Sequence, residues 1–116
     1  MRRLKNLTIN NFINETLKKT KKNFGFLKYN GTAKEYLTYA YSVKPGLFSD
    51  DDNEGKIYEV SITVFSDKNY LSLIDELIKT MKKAGFIWTD SGVDMFDDET
   101  GLYYKTLYFE IERCEF

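Results

Sequence analysis

The chain has 116 residues, 42% of them hydrophobic and 16% aromatic, with 17 basic and 18 acidic side chains and no histidine. That length fits about one domain, of a size that buries roughly two-thirds of its unfolded surface. A net charge of -1 excludes a bulk basic field for nucleic acid, and the composition excludes a disordered chain. The missing histidine removes the commonest general base and metal ligand, and with them a Ser-His-Asp triad. Cys114 is the sole cysteine, so no internal disulfide can form, which fits a reducing compartment. No apolar segment follows Arg2 and Arg3, and the apolar runs fall far short of about 20 residues, so neither an export signal nor a membrane span is expected.

Ile9, Phe12, Ile13, Thr16, Leu17 and Thr20 recur at helical spacing, with polar residues between them. They predict an amphipathic helix over 7–20 whose C-terminal end carries Lys18 to Lys22. Phe24, Phe26 and Leu27 read as a strand. Asn30-Gly31 reads as a tight turn, because both residues tolerate positive φ. Tyr36, Leu37, Tyr39 and Tyr41 form the second arm of the predicted hairpin. Residues 43–55 form the longest loop. Ile57 to Phe65 alternates strictly, with Tyr58, Val60, Ile62 and Val64 on one face and Glu59, Ser61 and Thr63 on the other, which predicts a sheet with one dry face.

Ser66 and Asp67 are N-cap candidates for a second helix with an apolar stripe of Tyr70, Leu71, Ile74, Leu77, Ile78 and Met81, and Gly85 stands where a C′ glycine belongs. A strand is expected from Phe86 to about Phe96, with Trp88 in the core. A turn cluster follows over Asp97–Gly101, and then a strand over Leu102–Glu112. The expected fold is α+β, in the order α-β-β-β-α-β-β, with a mostly antiparallel sheet and both helices on its dry face. No linker or repeat divides the chain, so residues 1–116 read as a single domain.

The acidic loop Asp50-Asp51-Asp52-Asn53-Glu54-Gly55 matches the first half of a calcium loop. Position 12 would fall on Ser61, inside a strand, so the loop reads as a solvated turn. Asp94, Asp97, Asp98 and Glu99 lie at a hairpin tip without His or Cys partners, where acids are ordinarily solvated. Neither Gly-x-Gly-x-x-Gly nor Gly-Lys-Ser/Thr occurs. Lys18, Lys19, Lys21 and Lys22 lack interleaved aromatics and read as a solvated helix end. No catalytic residue, metal or cofactor is expected. The tyrosines at 36, 39, 41, 103 and 104 are different. They fall on both faces of their strands, so one small core cannot hold them all, and some should lie on a partner surface.

The ordered set of local strings resembles the tail terminator (tail-completion) proteins of tailed phages and phage-tail-like bacteriocins. It runs from an N-terminal amphipathic helix through Tyr29-Asn30-Gly31, Tyr36 to Tyr41, Phe48-Ser49-Asp50-Asp51 and Tyr58 to Ile62. It continues through Phe65 to Tyr70, Met81 to Phe86, Asp94-Met95-Phe96 and Thr100 to Lys105. Tyr104 departs from the family's pattern, which has His before this Lys, and leaves any role of that position open. The resemblance implies a structural protein of the virion or tail-like particle, assembled in the bacterial cytoplasm and not an enzyme. It implies a hexameric ring that caps the head-proximal end of the tail tube and stops its growth. The implied partners are further copies of the chain, the tail tube protein, a head-completion or connector protein, and sheath or collar protein in a contractile tail. DNA would pass only through the lumen, and no membrane is involved. Expected interface residues are Phe48 as an anchor, Asp50, Asp51, Asp52 and Glu54 as an acidic lining that repels DNA, and Tyr103 and Tyr104. The competing readings are another head–tail connector component, and a small cytosolic regulator that binds a ligand or nucleic acid.

Overall fold

The computed structural model describes residues 8–46 and 55–114. The elements are α1 (Ile9–Lys18), β1 (Asn23–Phe26), β2 (Glu35–Pro45), β3 (Gly55–Ser66), α2 (Leu71–Lys83), β4 (Ile87–Ser91), β5 (Met95–Asp97) and β6 (Leu102–Cys114). The six strands form one sheet in the order β1-β2-β3-β6-β4, with β5 also paired to β6, and every pairing but β1–β2 is antiparallel. The expected α+β class and mostly antiparallel sheet are what the chain adopts. The strand expected over 86–96 is two strands, β4 and β5.

One core fills the space between the sheet and the two helices. Alternation selects its strand residues: Leu37 and Tyr39 from β2, Tyr58, Val60, Ile62 and Val64 from β3, Leu107 and Phe109 from β6. Helical spacing selects Ile9, Ile13 and Leu17 from α1, and Leu73, Ile74, Leu77 and Met81 from α2. Burying each of these side chains contributes about 1.5–3 kcal/mol. Leu71, read as part of the second stripe, is instead 63% exposed, because α2 begins only there and Tyr70 turns inward in its place. None of the described helices is long and apolar enough to cross a membrane.

The termini of both helices follow local chemistry. Thr8 accepts a hydrogen bond from the Asn11 amide at 3.1 Å and caps α1. Neither Ser66 nor Asp67 caps α2. Ser66 is fully buried at the end of β3, where it accepts the Lys68 amide and donates to Glu35, while Asn69 receives the Leu71 amide. At the other end the Phe86 amide reaches the Met81 carbonyl and the Gly85 amide reaches Lys82, with Gly85 at φ +106°. This is a Schellman cap, and it requires the glycine.

The expected β1–β2 hairpin does not form. β1 runs parallel to β2, with Asn23 opposite Tyr36 and Phe26 opposite Tyr39. The reason lies where the strands begin. Lys22 Nζ bonds Glu35 Oε1 at 2.8 Å, so the start of β1 lies beside the start of β2, as in a parallel pair. The chain reverses at Leu27, whose φ is +68°, and residues 28–34 carry it back. Gly31 does not have positive φ. It lies against the Tyr29 ring, where a Cβ would collide with the phenol. The predicted 43–55 loop is also shorter, because Val43, Lys44 and Pro45 still pair with Tyr58, Ile57 and Lys56.

Glu35 therefore joins α1's exit, β2 and the end of β3. Partial burial opposes its ionisation, but hydrogen bonds from Lys22 and Ser66 and the charges of Lys22 and Lys68 outweigh it, holding the carboxyl below its ordinary value of 4.5. A depressed carboxyl stabilises the fold at neutral pH, and that contribution is lost as pH falls through the folded-state value. Glu35→Gln should lower unfolding stability by about 1 kcal/mol at neutral pH, with the deficit shrinking as pH falls through the depressed folded-state value. Urea titrations across pH check both the size and the direction.

Candidate protein-interaction surface

The sheet has a second face that no described element covers. Its side chains are those out of phase with the core: Tyr36, Thr38, Ala40, Ser42 and Lys44 of β2, Glu59, Ser61, Thr63 and Phe65 of β3, and Tyr104, Thr106, Tyr108 and Glu110 of β6. It divides into two regions along the strands.

Near the start of β2 the face is aromatic. Tyr29 stacks on Tyr36 with centroids 4.5 Å apart, Tyr36 on Phe65 at 4.7 Å, and Phe65 on Tyr104 at 5.5 Å. This row crosses three strands, and each of its rings is half-buried. Burial raises the Tyr36 phenol's pKa, with the Asp97 carboxylate adding to the effect. A hydrogen bond of 2.8 Å between Thr63 and Thr106 closes the row's inner side.

Farther along the strands the face hollows into a trough of about 650 Å³, lined by residues that include Ser42, Glu59, Ser61, Asp90, Tyr108 and Glu110. Glu59 and Glu110 stand directly opposite one another on β3 and β6. Lys44 spans them, 2.9 Å from Glu59 and 3.9 Å from Glu110. The hydrogen bond lowers the Glu59 pKa and raises that of Lys44, but both groups are solvated.

Apolar side chains stand at both sheet edges. Phe26 and Leu27 at the β1 edge are 48% and 66% exposed, and Ile87 and Trp88 at the β4 edge are 63% and 44% exposed. Trp88, expected in the core, is held outward by a bulge between Trp88 and Asp90, and its indole N–H donates to the Asp90 carbonyl and to Ser91 Oγ. β1 is four residues long and carries no charged side chain, whereas β4 carries the bulge and Asp90, which discourage pairing along that edge.

The expected interface residues are distributed as follows. Tyr103 and Tyr104 take opposite faces. Tyr104 belongs to the aromatic row, while Tyr103, 47% exposed, packs on Phe96 at 4.7 Å beside Leu71 and Asp94. Phe48, Asp50, Asp51, Asp52 and Glu54 lie outside the described residues. The acids of the 94–99 cluster do separate structural work. Asp94 accepts from the Tyr70 hydroxyl at 2.6 Å, and Asp97 accepts the Glu99 amide and the Thr100 hydroxyl within its turn. The Tyr70 phenol is pushed far above its ordinary pKa, by burial first and then by Asp94. Among the described residues no three acidic or cysteine side chains converge as a metal site. The trough and the exposed edges were not anticipated. The run Glu59-x-Ser61 opposite Tyr108-x-Glu110 carries the signal, but only the β3–β6 register reveals it.

The sequence matches no protein-family profile and no curated protein. In fold, the chain is similar to a chain of the virion of a native gene transfer agent (GTA) particle, with a TM-score of 0.57, 12% sequence identity and 78% of each chain covered. At that identity the likeness is one of fold.

Two tyrosine-phase positions should separate structural aromatics from free surface. Phe65→Ala, which removes two ring contacts, should cost about 2 kcal/mol in chemical unfolding. Tyr108→Ser, on the same face but 42% exposed, should change stability by less than about 0.5 kcal/mol.

Proposed function

We propose that this chain is a structural protein of a phage-like particle and that its role there is non-enzymatic assembly. The observation that carries the reading is the sheet face that no described element covers, with exposed apolar side chains at its edges, in a fold shared with a gene transfer agent virion chain. Half-buried aromatics and the exposed Tyr108 beside a polar trough are the composition of a contact surface.

Within that class the chain is the tail terminator. Six copies form a ring on the head-proximal end of the tail tube, arrest its polymerisation and present a docking surface to the head-completion protein. In a contractile particle the ring would also meet sheath or collar protein. The ring requires a heterologous contact that closes by rotation, and a sheet whose two faces differ in cover and charge suits a heterologous contact. In this role Phe48 anchors the neighbouring subunit or the tube, Tyr103 and Tyr104 contribute to contacts at their end of the sheet, and Asp50, Asp51, Asp52 and Glu54 line the lumen and repel passing DNA. No cofactor takes part.

Electron microscopy of the purified protein mixed with tail tubes of the same particle tests this. The expected result is a six-fold ring at one end of each tube, and tubes that stop lengthening when the protein is added. Tubes that grow unchanged and carry no ring would contradict it. Phe48→Asp should keep the monomer's melting transition and lose the ring.

A further inference from the structure

The near-neutral chain is not neutral locally. On the open face, beyond the aromatic row, the strand positions carry Glu59, Asp90, Glu110 and Glu112 against Lys44. On the reverse side of the sheet, the last turns of α2 expose Lys79, Lys82 and Lys83. These two groups stand at the same level along the strands. The Schellman cap brings Gly85 behind β6, where an added Cβ would lie 3.6 Å from Ile111 Cδ1, and Ile87 then pairs with Glu110 itself. The trough wall and the lysine-bearing helix end are therefore back to back across one strand.

We propose that the acidic trough of one copy docks the Lys79–Lys83 end of α2 from a second copy. The occupant follows from charge complementarity within the chain. The trough presents three carboxylates, Glu59, Asp90 and Glu110, against one lysine, Lys44, which lies 2.9 Å from Glu59 and 3.9 Å from Glu110. One cation against three anions leaves the trough with an excess of negative charge, and the lysines at α2's end offer an excess of positive charge. The two groups lie level on opposite faces, so the trough of each copy can meet α2 of the next. The patches differ, so the contact is heterologous. Opposite potentials also speed encounter and fix the register of docking, while they penalise a trough-to-trough approach. This deepens the assembly reading by naming the surface through which copies meet.

Sedimentation velocity tests it with a charge exchange. The native chain should self-associate, and the association should weaken between about 0.05 and about 0.5 M salt. D90K/E110K and K82E/K83E should each weaken association by about ten-fold or more. The chain carrying all four changes restores opposite charges and should regain the native assembly. D90N/E110Q, which leaves the trough nearly isosteric, should weaken it as well and covers the case in which the lysines disturb folding. An assembly untouched by either pair, or a four-fold variant that folds but stays dissociated, would overturn the proposed contact. Those results would leave the tail-terminator reading intact, because ring capping of tubes is read separately. A native chain that is monomeric throughout the salt range would overturn the contact too.

Discussion

The pairing of β3 with β6 governs the rest of the molecule. Twelve positions pair without a break, from Gly55 opposite Cys114 to Ser66 opposite Tyr103. Because strand side chains alternate, that single register places Val60, Ile62, Val64, Leu107 and Phe109 on one side together, and it places Glu59, Ser61, Phe65, Tyr104, Tyr108 and Glu110 on the other. A slip by one residue would exchange the two sets. The core and the trough are thus two consequences of one constraint.

The helices add direction to this arrangement. Both cover the same side, and the Tyr39 hydroxyl, donating toward Asn10 and Asn14, ties α1 to β2 through a buried polar contact. An unmatched phenol there would cost about 1–3 kcal/mol. Arg113 lies over the Phe12 ring, which itself stacks on Phe86, so the first turn of α1, the exit of α2 and the end of β6 meet at one place. With the helices committed to one face, no described element covers the other face. The charges are divided in the same way, acids above the far end of the sheet and lysines at the end of α2.

Much of this was legible in the sequence because it is periodic. The alternation from Ile57 to Phe65 and the stripe from Ile74 to Met81 each report the environment of consecutive residues, and Gly85 marks its helix end through a conformation that glycine adopts freely. What failed depended on contacts distant in sequence. β1 runs parallel to β2, with Lys22 reaching Glu35, 13 residues away, a pairing that local turn chemistry at Asn30-Gly31 cannot report. Trp88 looked like core by its type, but an edge strand with a bulge turned it outward. The excess of tyrosine was correctly read as more than one core needs. Which tyrosines are free was settled by packing: Tyr36 and Tyr104 occupy each other's neighbourhood through Phe65, and Tyr108 does not.

The central claim is that the uncovered sheet face is a protein contact. Hydroxyl-radical footprinting tests it most directly, by comparing side-chain oxidation in the isolated chain with that in the assembled particle. Tyr108, 42% exposed on that face, should be oxidised readily in the isolated chain and protected on assembly, while buried Phe109 and Met81 stay unlabelled in both states. Equal oxidation of Tyr108 in the isolated chain and in the particle would show that the face stays open to water, and would contradict the account.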